Sequence, residues 1–214
     1  IATSAGISRN TAVEGLTSAL RGRILDGDLP PGSRLVEREI TEAHRASRPT
    51  VRSALHNLAA EGLVTLEAHR GASVAAFTPR TLEELFELRT ALEVEATRIA
   101  LQRDPQGLHT SLTEAVEELA ALCRRPRAPW KRITEAHNRV HETIAASAGN
   151  ARMHAAHEAL AGELRLFMLH LKPVWTREEI ARHHEELPGE IRELGETAVR
   201  RHLEAGQRAV LGAI

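Results

Sequence analysis

Eight of the twelve histidines in this chain lie between His137 and His202, a grouping that can bind something. His137 and His141, in "HNRVH", stand four apart, which puts both imidazoles on one face of a helix. His183, His184 and His202 come from two later helical segments, "TREEIARHHEEL" and "EIRELGETAVRRHLEAGQRAV". Imidazoles converging from separate helices make a workable site for zinc, nickel, copper or iron. The plainer alternative is that an arginine- and alanine-rich chain scatters exposed histidines, and His109, His154 and His157 are read that way. A metal-dependent enzyme built on the cluster is the rival use, but no carboxylate base of the HExxH kind accompanies these ligands.

A second group sits near the N-terminus, in "SRPTVRSALHNLAAEGLV", residues 47 to 64. Arg48 and Arg52 fall four apart on the leading turns of a helix, with Val51, Leu55 and Leu58 as its apolar stripe. A helix N-terminus carries partial positive charge, so isolated-helix energetics favour acids there, not arginines. A helix that breaks this rule is a candidate for meeting something negative. Ser47 is placed to cap it by accepting from its free amides. The plainer reading is a surface helix with solvated arginines.

The elements that must position these groups follow from periodicity. Val13, Leu16, Leu20, Ile24 and Leu25 recur at helical spacing until Gly27, Pro30 and Pro31 end the helix. A short helix follows over "VEREITEAHRA" with Ile40 inward, then the arginine-led helix, closed by Gly62. In "LVTLEAHRGASVAAF" the period changes: Val64 and Leu66 alternate, "HRG" turns the chain, and Val74 resumes the alternation as a hairpin. Three helices and a two-stranded wing make a winged helix-turn-helix. In that architecture the leading turns of the third helix enter the DNA major groove, where arginine pairs bidentately with guanine. Beyond Thr78 the strand signals stop, and the apolar spacing predicts about six helices with breaks at Asp104–Gly107, Pro126–Pro129, Gly149-Asn150 and Pro188-Gly189. The expected fold is therefore mainly α: a winged helix-turn-helix over residues 8–77, then an all-α helical bundle over 78–214.

Totals narrow the classes. Net charge is −1, so any attraction for nucleic acid must be local rather than global. Up to Phe77 there are 9 arginines against 8 acids, and after it 19 basic against 21 acidic residues. A single cysteine, Cys123, excludes an intrachain disulfide and fits a reducing compartment. No run approaches the roughly 20 apolar residues of a membrane span, and no signal peptide is visible, although a chain opening on Ile1 is expected to have lost its native start. The expectation is a cytoplasmic protein with no membrane partner.

The stretch from Leu20 to Val74 resembles the DNA-binding domain of the GntR family of bacterial transcription regulators. The matching pieces are "I..G.L.PG..L.E", "SR..VR.AL..LA.EGLV" and "RG..V". The family commonly has Thr-Pro after Ser-Arg, where this chain has Pro49-Thr50. Position by position, the resemblance implies contacts to double-stranded operator DNA by Arg38, Ser47, Arg48, Thr50 and Arg52. It also implies that the wing tip, Arg70-Gly71, reaches the adjacent minor groove or phosphates. Arg48 and Arg52 suit base edges, Ser47 and Thr50 phosphate oxygens, and Arg34 and Arg45 remain solvated surface.

"TLEELFELRTALEVEATRIA" and "HETIAASAGN" are similar to the FCD subgroup, the FadR-like branch, which carries an all-helical effector domain. Many of its members hold a metal there with an aspartate and three histidines. Here His137 occupies the aspartate slot and His141 the histidine four later, while His184 and His202 match the remaining two, with His183 as an alternative to His184. The resemblance thus implies a divalent transition metal, zinc or nickel. It also sets Arg89 beside an effector pocket, where a guanidinium suits a carboxylate; from the residues alone Arg89 equally well pairs with Glu93 or Glu84. The function so implied is a ligand-responsive regulator, not an enzyme, that binds a palindromic operator as a homodimer. A helical domain that only dimerises is the other reading.

Overall fold

Leu16, Leu20 and Ile24 line the inner face of the first helix, α1 (Ser4–Asp26), which packs along a later helix, α3 (Arg48–Ala60). The structure is a computed structural model that describes residues 4–67 and 70–214, with side chains from Thr11 onward. Between them lies α2 (Glu37–His44), which buries Ile40 against the same core of Val51, Ala54, Leu55 and Leu58. The α2–α3 turn passes through Arg45 at φ 49, in the left-handed region. Arg21 clamps α1 to the end of α3 by a bidentate pair with Glu61, at 2.6 and 2.7 Å.

The wing differs from the expected hairpin in one respect. Strands β2 (Val64–Glu67) and β3 (Gly71–Val74) pair antiparallel, but β1 (Arg34–Leu35) adds to the far side of β3, giving a three-stranded sheet of order β1-β3-β2. Two residues after a Pro-Pro turn are too few to show a strand period. Val64 is buried as expected, whereas Leu66 is exposed: from Thr65 on, β2 faces solvent, so its alternation buries nothing. His69, part of the expected turn, lies outside the described residues.

The chain divides into two compact units between Ala76 and Phe77. The second is all helical: α4 (Pro79–Arg103), α5 (Pro105–Cys123), α6 (Trp130–Ser147), α7 (Ala151–Glu158), α8 (Ala161–Leu171), α9 (Arg177–Glu185), α10 (Leu187–Leu194) and α11 (Glu196–Leu211). Side-chain caps explain half of these starts. Thr78 with Thr81, and Thr176 with Glu179, form capping boxes, while Asp104 and Asn150 cap α5 and α7. The core joins α4, α5, α6 and α11 through Leu82, Leu112, Leu119, Ile133, Val140 and Leu203, with Phe86 set edge-on to Phe167.

Two of the six expected segments are each two helices. The run "ARMHAAHEALAGELRLFMLHL" breaks at Ala159-Leu160. The last segment breaks at Gly195, whose φ of 62 ends α10 and is open to glycine at no steric cost. Pro188 does not interrupt a helix but sits in the first turn of α10, where its missing N–H costs nothing. These short helices turn the chain back so that His184 on α9 and His202 on α11 face the same interior.

Candidate functional site

His137 and His141 are both buried on α6, at the expected four-residue spacing, and His184 of α9 closes on them. One ring nitrogen from each of these three lies within 4.8 Å of the other two. Ring centroids are 4.8 Å apart for His137–His141 and for His137–His184, and 5.6 Å for His141–His184. His202 is also buried, 4.6 Å from the His184 ring and 5.3 Å from that of His141, but it stands outside the tight group of three.

Hydrogen bonds fix which nitrogens remain free. His184 Nδ1 donates to the Ile180 carbonyl at 2.7 Å, and His141 Nδ1 donates to Glu93 at 2.8 Å. Each ring is left with a buried Nε2 lone pair that meets no hydrogen-bond partner. Two orphaned acceptors beside a third imidazole are what a cation would satisfy, so these side chains fit a divalent transition metal. His183 is set apart: its Nε2 donates to the His202 carbonyl at 3.2 Å, and its ring stacks on that of His202 at 4.0 Å.

Glu93 is the residue that sequence reasoning placed too simply. It is fully buried and takes Arg89 Nε at 2.7 Å and His157 Nε2 at 3.1 Å on one oxygen, and His141 on the other. His157, expected among exposed histidines, is therefore buried and bonded; its signal was only its i+4 relation to Met153 and its helix-ending place. Arg89 satisfies the ion-pair reading, yet its Nη2 is buried without a partner and lines the same void as the histidines. That void measures about 10 Å³, room for one water-sized group.

Electrostatics follow from burial. Desolvation would push the Glu93 carboxyl up, but Arg89 and then His141 together hold it well below the usual carboxylate range. Burial, then the neighbouring imidazoles, keeps His137, His184 and His202 well below their usual value. Burial and Arg89 bring His141 down to about 4, against the opposing pull of Glu93. All four rings are neutral at pH 7, as metal ligation requires.

In the N-terminal unit, Ser47 caps α3 by accepting from the Thr50 amide at 3.3 Å, with Pro49 in the first turn. Arg38, Ser47, Arg48, Arg52, Arg70 and Gly71 are exposed. Thr50 is buried and its hydroxyl is engaged with Ser47 Oγ at 2.8 Å. Arg52 leans back on Glu37 of α2 at 3.0 Å, a solvent-exposed pair. Arg34 is exposed, as expected of solvated surface, and donates to the Arg70 carbonyl at 3.0 Å, bracing the wing tip.

Family models match both units: bacterial regulatory proteins of the gntR family over residues 12–74, and the FCD domain over residues 84–205. The chain is 33% identical over 134 residues to an uncharacterized HTH-type transcriptional regulator of Agrobacterium vitis, covering 61% of this chain and 77% of that one. It is 26% identical over 209 residues to a probable D-xylose utilization operon transcriptional repressor of Paenarthrobacter nicotinovorans, covering 95% and 91%. In fold it is similar to a transcriptional regulator GntR of Rhodococcus sp. RHA1, with a TM-score of 0.77 at 24% identity over 95% of this chain and 99% of the other. A winged helix-turn-helix joined to a helical unit that matches the FCD model over more than half of the sequence places this chain in the GntR family of transcription regulators, in its FCD branch.

Proposed function

We propose that the chain is a ligand-responsive DNA-binding regulator that grips a palindromic operator as a two-fold dimer through its N-terminal unit. The observation that carries this reading is the first turn of α3: a Ser47 cap, no acid, and Arg48 and Arg52 exposed beside it. Arg48 and Arg52 are assigned to base edges, and Arg38, Ser47 and the wing tip Arg70-Gly71 to backbone or minor groove. Thr50 contributes by locking the cap rather than by reaching out. Handing Arg52 from Glu37 to DNA costs little, because exposed ion pairs are worth about 0–1 kcal/mol.

In the helical unit, His137, His141, His184 and His202 are assigned to a divalent transition metal, zinc or nickel. Bound there, it would supply a Lewis-acidic anchor for an anionic group. Arg89 Nη2, unpartnered in the same void, is assigned to a carboxylate effector. A void of about 10 Å³ does not admit such a ligand, so effector binding must move a wall, and that movement is the differential state a regulator needs. By analogy with the relative named a repressor, effector binding would release the operator.

The test starts with operator sequences selected from a random DNA library by the full chain. Arg52→Ala should weaken the selected complex by about 1–3 kcal/mol, and binding should fall with salt at a log–log slope near −0.9 per phosphate contacted. Binding by Arg52→Ala as tight as the parent's would refute the assignment. Sedimentation of the full chain tests the dimer. Metal analysis of protein purified without a histidine tag separates an effector site from a helical unit that only dimerises.

A further inference from the structure

Between α6, α7 and α8 lies a cleft of about 420 Å³, lined by Glu135, Arg139, Glu142, Glu158 and Arg165 among others, which the reading above does not use. At its rim, Glu142 of α6 and His154 and Glu158 of α7 bring one ligand atom each to within 4.8 Å of one another. We propose that Glu142, His154 and Glu158 form a second divalent-cation site, separate from the histidine cluster, that takes zinc with its remaining positions open to the cleft.

Three observations carry it. His154 and Glu158 stand four apart on α7, on one helix face, and Asn150 fixes the start of that helix by accepting from the Arg152 and Met153 amides. His154 Nε2 is shielded from solvent, makes no hydrogen bond, and sits 3.5 Å from Glu142 Oε1. That is long for a charge-assisted hydrogen bond but matches the roughly 3.4 Å between two ligands held about 2.1 Å from a tetrahedral zinc.

The third observation is charge. Among the described residues, neither Glu142 nor Glu158 has an arginine or lysine partner, and Arg139 in the same cleft is committed to Glu118 at 3.0 Å. A carboxylate oxygen from each glutamate within 4.8 Å of the other gives a cation two anionic ligands at once. A dication would be neutralised by the pair, and the imidazole tilts the choice from calcium or magnesium towards zinc. This site would be electrically balanced, unlike the all-histidine cluster.

The experiment is a zinc titration of the chelator-stripped full chain against a chromophoric competitor at pH 7.5. The parent is expected to bind two zinc ions per chain, His154→Ala one, and Glu158→Gln to weaken one of the two by about tenfold or more. His141→Ala should lose the other ion only. Unchanged stoichiometry and affinity in both His154→Ala and Glu158→Gln would overturn the proposal, whatever His141→Ala does. If the parent binds a single zinc, its loss in His154→Ala sustains this site and sinks the histidine cluster, while its loss in His141→Ala alone does the reverse. Glu158 is exposed, so its replacement by glutamine tests the site without threatening the fold.

Discussion

Acid should loosen the helical unit well before its carboxylates protonate. The perturbation is a fall in pH from 7.5 to 5.0 in metal-free buffer. His141 has its pKa brought from 6.5 to about 4 in the folded chain, first by burial and then by Arg89. A histidine whose folded pKa is depressed is neutral in the native state, while the unfolded chain takes up its proton near 6.5. Stability is therefore full above about pH 6.5 and is lost as pH falls, until the folded pKa is reached. At pH 5.0 the unfolded imidazole is almost wholly protonated and the folded one about nine-tenths neutral, which removes about 2 kcal/mol relative to pH 7.5. His137, His184 and His202 shift in the same direction for the same first cause, burial, so His141 alone sets the lower bound. Glu93, also depressed, adds its loss only at lower pH.

Both tryptophans, Trp130 and Trp175, belong to the helical unit, so their fluorescence reports its unfolding selectively. With a urea dependence of about 1–3 kcal/mol per molar, the midpoint should drop by roughly 1 M between pH 7.5 and 5.0 at unchanged slope. A midpoint that stays put across this range would show that the four rings are not held neutral by burial, and the electrostatic account of the site would fall with it.

Glu93→Gln keeps the shape but leaves the Arg89 guanidinium buried without its counter-charge. It should destabilise the helical unit by about 3–5 kcal/mol, read by the same fluorescence. Arg45→Gly should raise the stability of the N-terminal unit by about 0.5–1 kcal/mol, since it relieves a left-handed conformation that costs a side chain; a loss in a circular-dichroism melt would contradict this. Cys123 is buried and burial pushes its thiol up to about 11, so a disulfide reagent at pH 8 should label it only on denaturation. Rapid labelling of the folded chain would disprove that.

What the sequence disclosed depended on whether a signal was local. The α3 cap, the arginines after it and the i, i+4 pair His137/His141 are patterns within one turn, and the structure keeps them in place. Which of His183 and His184 turns towards His137 and His141 was not legible, because adjacent residues differ only in the helix face they occupy. The Arg89–Glu93 pair was legible at i, i+4, but the link from Glu93 to His157 was not, and His157 was misread for a related reason. Their meeting joins α4 to α7 across 64 residues, and no periodicity records a contact of that kind. The breaks at Ala159-Leu160 and Gly195 were missed because apolar spacing continues across both.

The resemblance sets His137 where the branch commonly has an aspartate, and Glu93 gives that difference a physical meaning. A carboxylate that ligates directly lends its charge to a cation, whereas Glu93 stands behind His141 and is already neutralised by Arg89. It can still fix the His141 tautomer and raise its basicity. The buried charges beside the cluster then sum to one guanidinium and one carboxylate, with the rings of His137, His141, His184 and His202 neutral. On the proposed reading, a dication would bring its full charge into an interior where charge is poorly screened. The cheapest remedy is an anion, and Arg89 Nη2 already lacks an acceptor in that void. Since only a water-sized group fits there, a carboxylate can meet both demands only in a conformation with the wall displaced. The same deficit that draws the effector in would thus hold the opened state, which is what couples a ligand to a change of shape.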